Sequence, residues 1–202
     1  MTTLELFPEN TEEMQLDISF ISALMAVENS IKAGRTQGGL WFPHPSPEGG
    51  NDTLGYGHKL TNKEVETGQI VVSDGTVINY KDGLTDNFVY ALFVSDLVKH
   101  REFTAKQWNS FYNVDASYDY PYFEELPRKY QHVLTNIVYN AGTLVNSRGK
   151  WGWPKLAKAI VDGDDKEVRK QMITHYVDSR GVRHALTKRA TKIADAVGLE
   201  KE

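Results

Sequence analysis

The spacing of apolar residues along the N-terminal part predicts one helix followed by loop. A helix over residues 16–33 is predicted because apolar side chains recur at helical spacing, and Gly34 is a natural stop. These side chains are Phe20, Leu24, Val27 and Ile31. The next segment, residues 35–51, is rich in Gly and Pro, which predicts a loop.

Two short apolar runs after this loop predict β-structure. The run DTLGYGHKL, residues 52–60, favours a short strand or hairpin, and VVSDGTVI, residues 71–78, places an Asp-Gly turn between β-branched residues. Between them, Thr61 and Glu64 have the spacing of a capping box, which predicts the start of a short helix.

The rest of the chain has the pattern of a helical protein. Thr85 is a candidate cap for a long helix over residues 86–112 with Phe88, Leu92 and Phe93 on its buried face. A Tyr-rich acidic connection follows, and then come predicted helices over residues 128–139, 153–162, 165–177 and 185–197. We therefore expect one α+β, mostly helical domain over residues 1–202. Its parts are an N-terminal lobe with a β-hairpin (about 16–84), a connecting helix (about 86–112) and a helical C-terminal lobe (about 113–197).

Composition and charge narrow the class of protein. The chain of 202 residues has no cysteine, so it has neither disulfides nor thiolate metal sites. No stretch is apolar for long enough to insert into a membrane, and the acidic N-terminus does not resemble a secretory signal. Residues 1–126 carry 8 Lys and Arg against 19 Asp and Glu, whereas residues 127–202 carry 15 against 8. A basic C-terminal part suits either a polyanionic partner or an attraction between the two parts.

Glu28 is the first candidate for chemistry. It follows the apolar run Leu24-Met25-Ala26-Val27 near the end of the first predicted helix. A carboxyl group beside apolar surface tends to remain protonated, because burial disfavours the charged form. A protonated glutamic acid near neutral pH can donate its proton to a glycosidic oxygen. On its own, however, Glu28 also fits an ordinary exposed helical residue.

The pattern around Glu28 resembles a known enzyme family. AVENSIKAG followed by DTLGYGHKLT is similar to the phage T4-type lysozymes, glycoside hydrolase family 24. The similarity continues in order through GLTDNFVYALFVSDLV, YPYFEELPRKYQHVLTNIVYNAG, WPKLAKAI and RHALTKRATKIADAV, over about residues 16–197. The resemblance implies a lysozyme-like fold and a muramidase activity on peptidoglycan.

The resemblance also implies roles for individual residues. Glu28 matches the general acid, and Thr53 matches a catalytic Thr that helps to position the attacking water. His58 matches the motif His and Asp96 its ion-pair partner, which would raise the pKa of the imidazole. Further matches are a cleft-facing pair, Tyr139 and Asn140, and by pattern alone Arg189.

The second carboxylate departs from the family pattern. Glu28 and Thr53 are 25 positions apart, about ten more than the family pattern. Pro47 stands where the second carboxylate is expected, Glu48 is next to it, and Asp52 adjoins Thr53. We favour Glu48, which lies in a Gly-rich loop, over Asp52, which strand alternation would turn to the other face. A third possibility is that neither acts.

The Gly- and Pro-rich segment of residues 35–51 is longer than the family pattern and is called the inserted segment below. It adds one candidate for substrate binding. Trp41 and Phe42 suit stacking on a sugar face, and they suit a loop anchor equally well. The six histidines have no metal-ligand spacing, so neither a metal nor a cofactor is expected.

The favoured function is an N-acetylmuramidase of the endolysin kind that acts on peptidoglycan glycan strands. A lytic transglycosylase of the same fold and a catalytically silent wall-binding virion component are the alternatives. We expect a monomer that binds no nucleic acid. It would lie in the host cytoplasm and reach the wall by a separate holin-like route, unless it is part of the virion.

Overall fold

The computed structural model of the chain describes residues 15–46, 50–72, 75–112, 120–146, 150–177 and 180–201. Within these ranges the protein is α+β, with seven α-helices and three two-stranded antiparallel sheets. The α+β class predicted from the sequence is therefore confirmed. None of the described helices is long and apolar enough to cross a membrane.

Helices and short hairpins alternate along the chain. In order they are α1 (Ile18–Glu28), β1 (Thr53–Leu54), β2 (His58–Lys59), α2 (Asn62–Thr67), β3 (Gln69–Val71), β4 (Val77–Asn79), α3 (Asp86–Tyr112), α4 (Arg128–Ala141), α5 (Pro154–Asp162), α6 (Asp165–Gln171), β5 (His175–Val177), β6 (Arg183–Ala185) and α7 (Thr187–Ala196). A short 3₁₀ turn, Phe123–Glu125, precedes α4.

The described residues divide into two compact units. Unit 1 contains residues 25–98, and unit 2 contains residues 15–24 and 99–201, each with the gaps given above. The divisions fall inside α1 and α3. The first turns of α1 therefore belong to unit 2, whereas the sequence analysis assigned all of residues 16–84 to the N-terminal lobe.

Local capping signals position several elements of unit 1. Thr61 and Glu64 form the predicted capping box, in which the Thr61 amide donates to the Glu64 carboxylate at 2.7 Å and the Glu64 amide donates to the Thr61 hydroxyl at 3.2 Å. The Thr85 hydroxyl accepts from the Phe88 amide at 3.4 Å, so the predicted cap of the long helix is also confirmed. Both predicted hairpins are present as β1–β2 and β3–β4.

The inserted Gly- and Pro-rich segment pairs with the rest of unit 1 at single positions. Trp41 pairs with Leu84, and His44 pairs with Thr53. The hydrophobic core of unit 1 contains the Trp41 indole and side chains from both hairpins and α3. Its buried members include Leu54, Leu60, Ile70, Ile78, Leu84, Val89 and Leu92.

The first helix ends earlier than its apolar pattern predicted. The Asn29 side-chain oxygen accepts a hydrogen bond from the Ala33 amide at 2.8 Å, and α1 stops at Glu28. A side chain that captures a nearby backbone amide offers the chain an alternative to continuing the helix. Ile31, predicted to be buried, is consequently 85% exposed, and Gly34 lies beyond the helix end.

Unit 2 is built around α4. One face of this helix is fully buried, and Gly142 ends the helix in the left-handed conformation with φ +77°. The buried residues of this face are Val133, Leu134, Ile137 and Val138. The helix also buries His132, whose ring stacks on Phe20 with centroids 4.4 Å apart. Burial lowers the pKa of His132 to about 4, so the imidazole is neutral in the core near pH 7.

One prediction for unit 2 is wrong. Residues 165–177 were expected to form a single helix, but α6 ends at Gln171 and the chain then forms the β5–β6 hairpin. Its pairs are His175–Ala185, Tyr176–His184 and Val177–Arg183. Both strands are largely exposed, so no buried face marks them in the sequence.

Candidate functional site

Glu28 is the last residue of α1 in unit 1. The residue is half-buried, and its Oε1 atom is inaccessible to solvent. Its place at the end of a helix agrees with the sequence analysis. The burial of one carboxyl oxygen limits the directions from which a substrate could meet the group.

Asn29 ties the end of α1 to the β1–β2 hairpin. Its side-chain amide donates to the Gly55 carbonyl at 2.8 Å and to the Ala33 carbonyl at 3.0 Å, while its oxygen accepts from the Ala33 amide. The residue is 8% exposed, so these bonds form with little competition from water. Asn29 therefore fixes the position of Glu28 relative to the hairpin.

Gly55 makes this close approach possible. It has φ +63°, and a Cβ atom at this position would lie 2.5 Å from Cγ1 of Val89 on α3. Any larger residue would both strain the backbone and collide with that side chain. The TLGYGH motif thus places a glycine where the hairpin turn is pressed against α3 and its carbonyl points to Asn29.

Thr53 lies in β1 between two backbone partners. It pairs with Lys59 in β2 on one side and with His44 on the other, where the two residues exchange hydrogen bonds of 2.8 and 2.9 Å. Directly paired residues place their side chains on the same face of a sheet, and the next residue, Leu54, points into the core. Thr53, His44 and Lys59 therefore share the face opposite the core.

Trp41 is not a sugar-stacking residue. It is 0% exposed, and its indole N–H donates to the Asp86 carboxylate at 2.7 Å. Arg35 forms a bidentate pair with the same carboxylate at 3.0 and 2.8 Å. The hydrogen bonds from Arg35 and then Trp41 lower the pKa of Asp86 to about 2. The anchor interpretation is the correct one, because the ring fills the core of unit 1.

His58 links β2 to α3, as predicted. Its Nδ1 lies 2.7 Å from an Asp96 carboxylate oxygen, and its Nε2 lies 3.4 Å from Glu64. Burial alone would lower the pKa of His58, but the hydrogen bond to Asp96 and the negative charges of Asp96 and Glu64 together raise it. The imidazole is thus held between two carboxylates, of which the sequence analysis had identified only Asp96.

Neither candidate for the second carboxylate is established by geometry. Glu48 lies outside the described residues. Asp52 is exposed, and its charge contributes, after burial and the charge of Glu64, to the raised pKa of Tyr80. Its carboxylate is therefore close enough to the Tyr80 hydroxyl group to interact with it electrostatically.

The remaining candidates lie in unit 2. Tyr139 and Asn140 are at the C-terminal end of α4, half-buried, with the Tyr139 ring 4.7 Å from the ring of His100. The Asn140 amide donates to the Thr174 hydroxyl at 2.7 Å. Arg189 donates to the buried side-chain oxygen of Asn136 at 3.2 and 3.0 Å.

Sequence reasoning missed Asn29, His44 and Glu64. Asn29 stands directly after Glu28 inside the motif already singled out, so its position was a usable signal. His44 has no local signal, because its pairing with Thr53 depends on how the inserted segment folds back. Glu64 was noticed only as a capping residue, and its second contact with His58 depends on tertiary structure.

Compared with protein-family models, curated proteins and solved structures, the chain matches none of them. The functional interpretation therefore depends on the geometry described above and on the sequence pattern.

The tie between α1 and the hairpin predicts the effect of replacing Asn29. Asn29→Ala removes three hydrogen bonds, of which the one to Gly55 is buried, and leaves the Gly55 carbonyl without this donor, so unit 1 should lose about 1–3 kcal/mol of stability. The rate of wall clearing by the folded protein should also fall, because Glu28 loses its fixed position. Urea unfolding and a wall-clearing assay, both done below the melting transition, measure the two effects.

Tyr80→Phe is the matched control. The buried Tyr80 hydroxyl donates to the Glu64 carbonyl at 3.0 Å in the same unit and does not contact the end of α1. This variant should lose stability on the order of 1 kcal/mol and retain activity. Equal activity of the two folded variants would contradict the positioning role of Asn29.

The His58 contacts predict a pH-dependent contribution to stability. Because the pKa of His58 is raised on folding, its contribution is complete below the unfolded pKa of about 6.5 and is lost as pH rises through the folded value. Asp96→Asn should therefore destabilise the protein on the order of 3 kcal/mol near pH 6 and by less near pH 9. Thermal unfolding at both pH values checks this, and an unchanged melting temperature at pH 6 would refute the pairing.

Proposed function

We propose that the chain is a lysozyme-like glycoside hydrolase that cleaves the β-1,4 bond between N-acetylmuramic acid and N-acetylglucosamine in peptidoglycan. The proposal depends mainly on the hydrogen bond from the Asn29 amide to the Gly55 carbonyl. This bond holds Glu28 at a fixed position beside the hairpin that bears Thr53. The order of these residues, with a helix-borne acid before a T-L-G-Y-G-H hairpin, supports the same assignment.

Glu28 acts as the general acid in this proposal. Its carboxyl proton passes to the glycosidic oxygen as the bond from that oxygen to the anomeric carbon breaks. The partial burial of Glu28 suits this role, because it limits the directions from which the carboxyl group can meet the glycosidic oxygen. The leaving sugar departs with a free hydroxyl group.

Thr53 and the second carboxylate complete the reaction. Thr53 positions the water that attacks the anomeric carbon, and a carboxylate takes the proton that the water releases. In inverting enzymes the acid and the base are about 6.5–9.5 Å apart, so that a water fits between the base and the sugar. We assign the base to Glu48, which stands one position from the place where the family pattern has its second carboxylate.

The proposal includes how the protein meets its substrate. Peptidoglycan glycan strands are the partner, and the protein acts as a monomer of the endolysin kind that crosses to the wall by a separate holin-like route. Attachment to a virion is the alternative for delivery, and it leaves the chemistry unchanged.

Replacing the acid tests the central assignment. Glu28→Gln preserves the shape of the side chain but removes the proton that it donates, so clearing of purified cell walls should fall by about two to four orders of magnitude. Glu66→Gln makes the same charge change at an exposed position of α2 and should leave clearing intact. Near-full activity of the Glu28 variant would refute the proposal.

The ends of the released fragments identify the reaction. A hydrolase releases fragments with a reducing muramic acid end, and we expect these by mass spectrometry. Anhydro ends would assign the chain to the lytic transglycosylases, in which the sugar itself attacks the anomeric carbon. A well-folded protein that binds walls without releasing any fragment would be a silent wall-binding component.

The base assignment has its own test. Glu48→Gln should lose roughly two to four orders of magnitude in rate, the usual size of general-base catalysis, and Asp52→Asn should lose little. Initial rates on purified walls measure both. The reverse result would make Asp52 the base, and full activity of both variants would favour a site that works from Glu28 and Thr53 alone.

A further inference from the structure

Unit 2 has an open surface depression of about 470 Å³, called the cavity below, whose lining includes none of the candidate site residues considered so far. Its walls come from the start of α5, the end of α6, the β5–β6 hairpin and the first residue of α7. This volume lies within the range of about 300–1,000 Å³ that small-ligand sites occupy. All of the lining residues belong to unit 2.

The lining of this cavity is cationic. Lys155 and Arg183 contribute positive charges from α5 and β6, and Lys170 and His175 also line the cavity. No acidic side chain is among the described residues that line it. Such a lining has a positive potential, which favours an anionic ligand.

The β5–β6 hairpin presents its cations to the cavity as a consequence of strand geometry. Paired residues share a face, so the His175–Ala185 and Val177–Arg183 pairs lie on one side and the pair between them lies on the other. His175, Ala185 and Arg183 all line the cavity.

The opposite face of the hairpin carries an aromatic stack. Tyr176 and His184 stack there with ring centroids 4.9 Å apart. This contact joins the two strands on the face away from the cavity.

The chemistry of the lining narrows the class of anion. A guanidinium group offers a planar fork of N–H donors that matches the oxygens of a phosphate group, and ammonium groups bind phosphate as point charges. Trp153 adds an indole ring to the same wall, and such rings stack on the apolar face of a sugar or lie along a polyol chain. A phosphate ester on a sugar or polyol uses both features.

We propose that this cavity binds a phosphodiester group of an anionic wall polymer, in which phosphate links sugars or polyols. The excess of 15 Lys and Arg over 8 Asp and Glu in residues 127–202 favours a long polyanion over an isolated ion, because a field of this extent attracts many charges at once. The site retains the protein on the wall and takes no part in the chemistry at Glu28. This proposal rests on the proposed function only because that function makes a cell-wall polymer the source of the phosphate.

Binding is measured with the full chain carrying Glu28→Gln and with poly(glycerol phosphate) as the probe, so that wall turnover does not affect the result. Tryptophan fluorescence and titration calorimetry report the affinity. The double variant Lys155→Gln, Arg183→Gln should bind about tenfold or more weakly and with a shallower salt dependence, since two phosphate contacts are lost. Unchanged affinity would overturn the proposal.

A matched double variant separates the cavity from general charge. Lys166→Gln, Lys192→Gln removes the same two charges from exposed positions of unit 2 that do not line the cavity. It should retain most of the affinity, and both proteins should keep their melting temperatures. An equal loss in the two double variants would mean that net charge alone binds the polymer, which would overturn the site.

Other sources of phosphate are compared in the same titration. Duplex DNA and phosphatidylglycerol vesicles, matched in phosphate concentration, should bind more weakly than the polymer. Tighter binding of DNA that depends on Lys155 and Arg183 would assign the cavity to nucleic acid, and tighter binding of vesicles would assign it to a membrane surface. Either result overturns the wall-polymer assignment and leaves the Glu28 chemistry unaffected.

Discussion

The hydrogen bond from the Asn29 amide to the Gly55 carbonyl is the contact on which the candidate site depends. It holds the residue that follows α1 against the hairpin of Thr53. Because a proton donor must lie within hydrogen-bond reach of its substrate, a small error in this contact would move the proposed acid, Glu28, out of position. The bond is buried, so its loss would leave a carbonyl group without a donor and would cost more than a surface contact.

One face of α3 supports this arrangement from below. Asp86, Val89, Phe93 and Asp96 follow one another at spacings of three and four residues, which places them on a single helix face. Asp86 holds the inserted segment through Arg35 and Trp41, and Val89 packs against Gly55. Phe93 contacts the ring of Tyr56, and Asp96 binds His58. The hairpin is thus fixed at its turn and at β2 by the same helix that anchors the loop before it.

The sequence was sufficient wherever the signal is local. The cap at Thr85 and the capping box at Thr61 each involve residues within one turn, and both were predicted correctly. The predictions are wrong where residues far apart in the sequence determine the local structure. Ile31 continues the apolar period of α1, yet the helix has already ended at Glu28, where Asn29 is bound both to Ala33 and to the distant Gly55. Trp41 stands in a Gly- and Pro-rich segment typical of exposed loop, yet its N–H finds a partner 45 residues later. Strands with no buried face, as in the β5–β6 hairpin, leave no period for sequence analysis to detect.

Under the two proposals above, the two units have different tasks. Cleavage of a glycan bond needs a few groups at fixed positions, which unit 1 would supply around Glu28, and extra net charge adds little to that step. Retention on a wall polymer would depend instead on several weak, salt-sensitive contacts to the cations that line the cavity of unit 2. When both sites belong to one chain, binding at the second raises the effective concentration of substrate at the first without any new contact to the scissile bond. Binding that is too tight would hold the enzyme on strands already cut, so exposed lysines and arginines, whose contacts exchange readily, suit this role better than a deeply buried pair would.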